Sequence, residues 1–188
     1  MKLPIALSNK HVHLSQADVD ALFGEGYQLT PFKPLSQPGQ YACEEKVTVV
    51  GPKGQQTMRV LGPVRPESQV EVSLADARGL GIAVPVRQSG DVEGTPGCKL
   101  VGPKGEVEIT EGVIIAARHI HLYPETAETY GLKDGDIVSI QTNGERALIM
   151  NNVLVRAGEG NADEVHIDTD EANACNLDSG MMVEIITK

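Results

Sequence analysis

Apolar and polar positions alternate along most of this chain with a period of two, and the alternating runs are short. Gln69-Val70-Glu71-Val72-Ser73-Leu74 predicts a strand with Val70, Val72 and Leu74 in the core and Glu71 with Ser73 on the other face. Lys46 to Val50 predicts another strand, Gly51-Pro52-Lys53-Gly54 a turn, and Thr57 to Leu61 the return. The turn recurs in Leu100-Val101-Gly102-Pro103-Lys104-Gly105, with Glu106 to Thr110 returning. Helical spacing is rarer. Ser15, with Asp18 three residues on, opens a helix whose apolar stripe is Val19, Leu22 and Phe23 and which ends at Gly24; a second, short helix spans Ala75 to Gly79. From Gly24 to about Cys43 the prolines Pro31, Pro34 and Pro38 predict an extended surface connection, at about 27–44.

The C-terminal part repeats itself. Sliding by 45 residues superimposes His119–Ile140 on Glu164–Ile185 without a gap, with six identities in 22 positions, and each copy reads strand, short helix, turn, strand. His166 then falls on the position of His121. Recurring hairpins and strand repeats in one chain predict a mainly β fold built of small barrels.

Composition agrees with that and removes several function classes. Of 188 residues none is Trp, two are Phe and four Tyr, while Gly and Pro number 20 and 11, a mix suited to short strands and tight turns. A net charge of −10 argues against binding nucleic acid through its phosphates, though a few local Arg and Lys can still hold a small anion. No run approaches a membrane span, and the N-terminus lacks the apolar core of a signal peptide, so a cytoplasmic protein without a membrane partner is expected. Cys43, Cys98 and Cys175 are odd in number and form no CxxC, which predicts free thiols.

The candidate chemistry lies in two matching stretches, Asn9-Lys10-His11-Val12-His13-Leu14 and Ala117-Arg118-His119-Ile120-His121-Leu122. Each reads base, His, β-branched residue, His, Leu, and follows an apolar run. On a strand both imidazoles of such a pair face one way and can share a metal ion. Five histidines shuffled at random would give only about 0.1 His-x-His pairs. Zinc suits imidazole and carboxylate donors, and catalysis needs three protein ligands with one position open. Two metals fit the inventory better than one closed sphere, with Glu71 and His166 as candidates for the third ligands. His13, Glu71, His121 and His166 all sit near strand ends before short helices, whose N-termini favour anions. Arg65, between Pro63 and Pro66, could grip an oxyanion in two-pronged fashion; Arg87 and Arg118 compete for that role. The chain has no GxxxxGK[ST] loop, no GxGxxG between a strand and a long helix, and no GxSxG elbow. Metal-assisted chemistry is therefore expected, without a nucleophilic triad.

Several ordered motifs together resemble the PduL-type phosphate acyltransferases: Ser8-Asn9-Lys10-His11-Val12-His13-Leu14, Leu61-Gly62-Pro63-Val64-Arg65, Gln69-Val70-Glu71-Val72-Ser73, Ala83-Val84-Pro85-Val86-Arg87-Gln88-Ser89-Gly90, Arg118-His119-Ile120-His121 and His166-Ile167-Asp168-Thr169-Asp170-Glu171-Ala172-Asn173-Ala174. The resemblance covers nearly the whole chain. It implies reversible transfer between propanoyl-CoA or acetyl-CoA and phosphate, giving acyl phosphate and CoA. It implies two small β-barrels capped by short helices, 1–9 plus 117–188 and 10–116, with the active site between them. By the same resemblance His11, His13 and Glu71 would hold one Zn2+ and His119, His121 and His166 a second. Arg65 would bind phosphate as the catalytic residue, and Leu7, Ser8, Asn9, Lys53, Arg59 and Asn173 would contact CoA. A homodimer is implied too. Relatives housed in microcompartments carry a targeting extension, whereas this sequence starts at the first strand, so a free cytoplasmic enzyme is expected. Two other classes compete: a zinc hydrolase of thioesters or amides, and a non-catalytic module, since Gly131-Leu132-Lys133-Asp134-Gly135-Asp136-Ile137-Val138 resembles a turn of double-psi barrels that only bind partners or DNA.

Overall fold

The computed structural model describes residues 1–187. The chain divides into two compact units, one made of Met1–Asn9, Ser36–Pro38 and everything from Ala117 onward, the other of Lys10–Leu35 and Gly39–Ala116. It opens in the first unit with β1 (Lys2–Ser8) and then enters the second.

The second unit contains β2 (His11–His13), α1 (Gln16–Phe23), β3 (Pro31–Pro34), β4 (Tyr41–Val50), β5 (Gln55–Gly62), β6 (Gln69–Glu71), α2 (Leu74–Leu80), β7 (Val86–Arg87), β8 (Cys98–Val101), β9 (Glu106–Ile109) and β10 (Val113–Ala116). They form one sheet in the order β7-β10-β6-β2-β5-β4-β8-β9, with β3 on the edge of β4. This sheet is a half-barrel wrapped round Val12, Leu14, Val47, Val49, Met58, Val60, Val70, Leu100 and Val113. It does not close: α1 packs against β9, and covering an edge with a helix removes the need to pair it.

Local chemistry explains the helices. Ser15 accepts the Asp18 N–H and buries Val19, Leu22 and Phe23, as the spacing predicts. The proline-rich connection is extended and exposed as expected at Pro31–Pro34, which pairs antiparallel with β4 on an edge that tolerates a residue without an N–H. One expectation needs correction. Leu74 is not core: the strand stops at Glu71, Ser73 caps α2, and Leu74 becomes an exposed first-turn residue (45 % exposed).

The two Gly-Pro-Lys-Gly turns plug the two helices. Lys53 donates its N–H to the Leu80 carbonyl at the end of α2, and Lys104 donates to Leu22 at the end of α1, each at 3.0 Å. That approach leaves no room for a side chain, since a Cβ on Gly51 would lie 2.4 Å from Leu80 O and one on Gly102 2.5 Å from Leu22 O. Gly102→Ala should therefore lower stability by about 1–3 kcal/mol in urea unfolding, as overpacking does. Gly90, with nothing near its Cβ position, is the contrasting site, although its φ of 97° also favours glycine.

The first unit resumes with β11 (His119–Leu122), α3 (Pro124–Thr129), β12 (Ile137–Gln141), β13 (Ile149–Ala157), β14 (Glu164–Asp168), α4 (Thr169–Cys175) and β15 (Met182–Ile186). Its strands close into a barrel in the order β1-β14-β11-β13-β12-β15. The 45-residue repeat is β11-α3-β12 and β14-α4-β15, and its identities have physical reasons. Ala127/Ala172, Leu132/Leu177, Val138/Val183 and Ile140/Ile185 are all buried, while Gly135 and Gly180 both take positive φ (86° and 88°). The remaining identity, His121/His166, is not explained by packing. No helix among the described residues is long and apolar enough to cross a membrane.

Candidate metal centres

Among the described residues, each unit holds one cluster of three potential ligands. His11, His13 and Glu71 lie together in the second unit, and His119, His121 and His166 in the first; within each group the ligand atoms are all within 4.8 Å of one another.

Both clusters follow one plan. Strand β2 carries His11 and His13 and pairs antiparallel with β6, which sets His11 opposite Glu71 and His13 opposite Gln69. Strand β11 carries His119 and His121 and pairs antiparallel with β14, which sets His119 opposite His166 and His121 opposite Glu164. Period-two geometry does the rest, turning both members of a His-x-His pair and the residue opposite to one face. The basic residue before each pair also has one job twice. Lys10 bonds Asp76 at 2.6 Å, and Arg118 bonds Glu171 at 2.7 Å; both acids are the third residue of the helix that follows the partner strand. Each base thus ties its His-x-His strand to the helix behind the third ligand.

The first cluster is deeply buried. His11 Nε2 is 3.5 Å and His13 Nε2 4.0 Å from the Glu71 carboxylate. Gln69 donates to Glu71 Oε1 at 2.6 Å, and Ser89 Oγ donates to the same oxygen at 2.8 Å. Burial raises the Glu71 carboxyl, but the facing His11 charge and its hydrogen bond win and hold it well below the usual carboxylate range. Arg65 joins through the same serine, donating from Nη1 to Ser89 Oγ at 3.1 Å. Its rivals are placed otherwise: Arg87 faces Asp91, and Arg118 is the strand tie just described.

In the second cluster His119 Nδ1 donates to the Ala117 carbonyl at 2.8 Å, which leaves Nε2 as the lone-pair nitrogen, 3.2 Å from His121 Nε2. The rings of His119 and His166 stack with centroids 5.0 Å apart. Glu164 Oε2 lies 3.0 Å from His166 Nε2, and its carboxyl is held low because hydrogen bonds from His166 and Ser36 outweigh a raising effect of burial. Arg156 is the register partner of His121 on β13.

The donors fit divalent zinc, which takes neutral imidazole nitrogens and carboxylate oxygens in sets of three. Two buried nitrogens beside the clusters are also unpartnered. Nδ1 of His13 and Nδ1 of His121 have no hydrogen-bond partner; neither the Leu61 backbone near His13 nor the Asn161 side chain near His121 meets hydrogen-bonding geometry there. Buried nitrogens are rarely left so. Burial, together with the charges of His11 and Arg65, pushes the His13 pKa down to about 3, and burial with His119 and His166 does the same to His121. Both rings are therefore neutral at pH 7, the form that binds metal.

A pH dependence follows for the metal-free protein. The folded values of about 3 lie below the unfolded value of 6.5, so between them the unfolded chain binds more protons. Stability is then greatest above pH 6.5 and falls as pH drops toward 3. Urea unfolding at pH 7.0 and 5.0 checks this, and equal midpoints would rule it out.

The other residues of interest fall in both units. Leu7 and Ser8 lie in β1 beside Ile167 and Asp168, and Asn173 lies on α4 one turn past the cap. Arg59 is the parallel-strand partner of His11, donates to the Cys43 carbonyl, and sits 5.0 Å from the Phe32 ring. Lys53 is on the hairpin tip before β5, its side chain against Gly81. Gln37, Gln69, Ser89, Arg156 and Glu164 were not singled out by sequence reasoning. Gln69 and Glu164 had a findable signal, each standing two residues before a third ligand.

Comparison with known proteins agrees with the motifs. A family model described as phosphate propanoyltransferase matches residues 4–178. The phosphate propanoyltransferase of Thermotoga maritima is 57 % identical over 184 residues, 97 % of this chain and 88 % of that protein. Those of Rhodopseudomonas palustris and Salmonella typhimurium are 50 % and 51 % identical, covering 100 % and 94 % of this chain and 83 % and 85 % of theirs. A match of this extent and identity, on a chain whose ordered motifs fall at both ligand clusters, shows that the chain belongs to the phosphate propanoyltransferase family of acyltransferases.

Proposed function

We propose that this chain moves the acyl group of propanoyl-CoA, or of acetyl-CoA, to inorganic phosphate and back, with zinc held at both clusters. What supports this, beside the family, is Arg65, a guanidinium tethered by Ser89 to a buried three-ligand cluster. Such a planar fork takes two phosphate oxygens at once. Zinc bound by His11, His13 and Glu71 and by His119, His121 and His166 would supply Lewis acidity toward phosphate and carbonyl oxygens and a seat for a thiolate. Arg65 offsets the phosphate charge and aims one oxygen at the thioester carbon. The new C–O bond forms, the C–S bond breaks, and CoA leaves as thiolate. Leu7, Ser8, Asn9, Lys53, Arg59 and Asn173 are the proposed CoA contacts.

No acyl-enzyme is needed, and the thiols support that. Cys43, Cys98 and Cys175 are all buried and free, and burial raises Cys43 to about 11 and Cys98 to about 12. Thiols that stay protonated are poor nucleophiles.

The test is CoA release from propanoyl-CoA and acetyl-CoA, with and without phosphate, before and after chelation. Release that needs phosphate, stops on chelation and returns with zinc is expected. Free acid formed without phosphate would mark a zinc hydrolase instead. The proposed homodimer should give a solution mass near twice 20.1 kDa.

A further inference from the structure

The shared plan of the two clusters assigns matching places to two residues that are not ligands. Gln69 and Glu164 each stand opposite the second histidine of a pair, two residues before the third ligand and on its strand. Their chemistry is reversed, and so is that of the ligands they serve. Where the third ligand is the carboxylate of Glu71, the neighbour is an amide that donates to it at 2.6 Å. Where the third ligand is the imidazole of His166, the neighbour is a carboxylate 3.0 Å from Nε2.

We propose that Glu164 is the positioning residue of the His119–His121–His166 centre: it accepts the Nε2 proton of His166 and so leaves Nδ1 as the nitrogen that binds the cation. This rests on the zinc reading of that cluster. An ionised carboxylate has no proton to give, so the hydrogen of this 3.0 Å contact sits on the ring. The tautomer is then opposite to that of His119, whose Nδ1 carries the proton to Ala117 and whose Nε2 is bare. A carboxylate behind a ligating imidazole fixes ring orientation and raises its basicity.

Glu164 is itself held firmly. Ser36 Oγ donates to Glu164 Oε2 at 2.5 Å and Gln37 Nε2 at 3.3 Å. Gln37, only 5 % exposed, is locked by donating to the Ala162 carbonyl and accepting the Ala162 N–H, both at 3.1 Å. Three residues of the chain, Ser36–Pro38, thus belong to the barrel unit although Leu35 and Gly39 on either side belong to the other. Holding Glu164 is what the Ser36 and Gln37 side chains do there.

The experiment uses the full chain and zinc ion alone as probe. Zinc stoichiometry and affinity are measured by competition with a chromophoric chelator for the wild type, Glu164→Ala and Glu164→Gln, and side-chain 15N NMR of the zinc-loaded wild type reads the His166 tautomer. Expected are two zinc ions per wild-type chain, one of them weakened by about 10- to 100-fold in Glu164→Ala and the other unchanged. Glu164→Gln keeps an acceptor oxygen and should retain most of that affinity, with a protonated Nε2 on His166 in the wild type. Both sites unchanged in Glu164→Ala, or a His166 bound through Nε2, overturns the assignment while the zinc reading stands. A wild-type chain that takes up no zinc overturns both. The NMR measurement needs no variant, so a misfolded Glu164→Ala leaves the proposal decidable.

Discussion

His13→Ala and His121→Ala should each release one zinc ion per chain and reduce phosphate-dependent CoA release by more than the roughly 100-fold that loss of a supporting residue costs. Each leaves two donors where a stable site needs three. The two rings are also the most telling choices inside their clusters. Each is buried, neutral at pH 7 and has a ring nitrogen without a protein partner, so its contribution to the empty protein is small and its contribution to the loaded one large. Removing such a ring should therefore leave the circular dichroism spectrum of metal-free protein unchanged while abolishing uptake at one site. Metal analysis with activity on the same sample decides it. Full zinc content in either variant would remove that histidine from the ligand set.

Arg65→Ala should lower kcat/KM for phosphate by about 100- to 1000-fold, the usual cost of deleting one charge-stabilising group at a reacting oxyanion. Arg65→Lys should recover little, because an ammonium is a point charge without the two-pronged fork. The zinc content of both variants should match the wild type, since Arg65 is not one of the six ligand candidates and bonds the Ser89 hydroxyl that donates to Glu71. A variant with wild-type phosphate dependence would move the anion site elsewhere. Loss of zinc from Arg65→Ala would make the residue a support of the metal cluster. Steady-state kinetics against phosphate at fixed propanoyl-CoA separates these outcomes.

Where local rules operate alone, sequence and structure agree. Ser15 and Gly24 bound α1 because one supplies a cap oxygen and the other takes a φ of 116°. The Gly-Pro-Lys-Gly turns are hairpin tips as the sequence predicts, their glycines leaving room for the helix-end carbonyls. The two His-x-His pairs lie on strands, and the 45-residue repeat is two copies of one supersecondary unit. Disagreement begins where one local rule overrides another or a distant partner decides. Leu74 continues a perfect alternation, yet Ser73 finds the Asp76 N–H and starts a helix there. Pro31–Pro34 has little strand propensity, yet β4 offers an edge that needs no more donors from it. The half-barrel stays open because α1 lies along β9, which no local pattern announces.

By itself the sequence determined the short strands, the caps and turns, the twinned base-His-x-His segments and the repeat that puts His166 in the place of His121, because each depends on neighbours within a few residues. Only the tertiary structure decided which strand lies beside which. Register across β2/β6 and β11/β14 brings residues 60 and 47 positions apart, His11 with Glu71 and His119 with His166, into contact. It also draws Ser36 and Gln37 to Glu164 from more than 120 residues away, a pairing set by side-chain hydrogen bonds that leave no periodic trace in the chain.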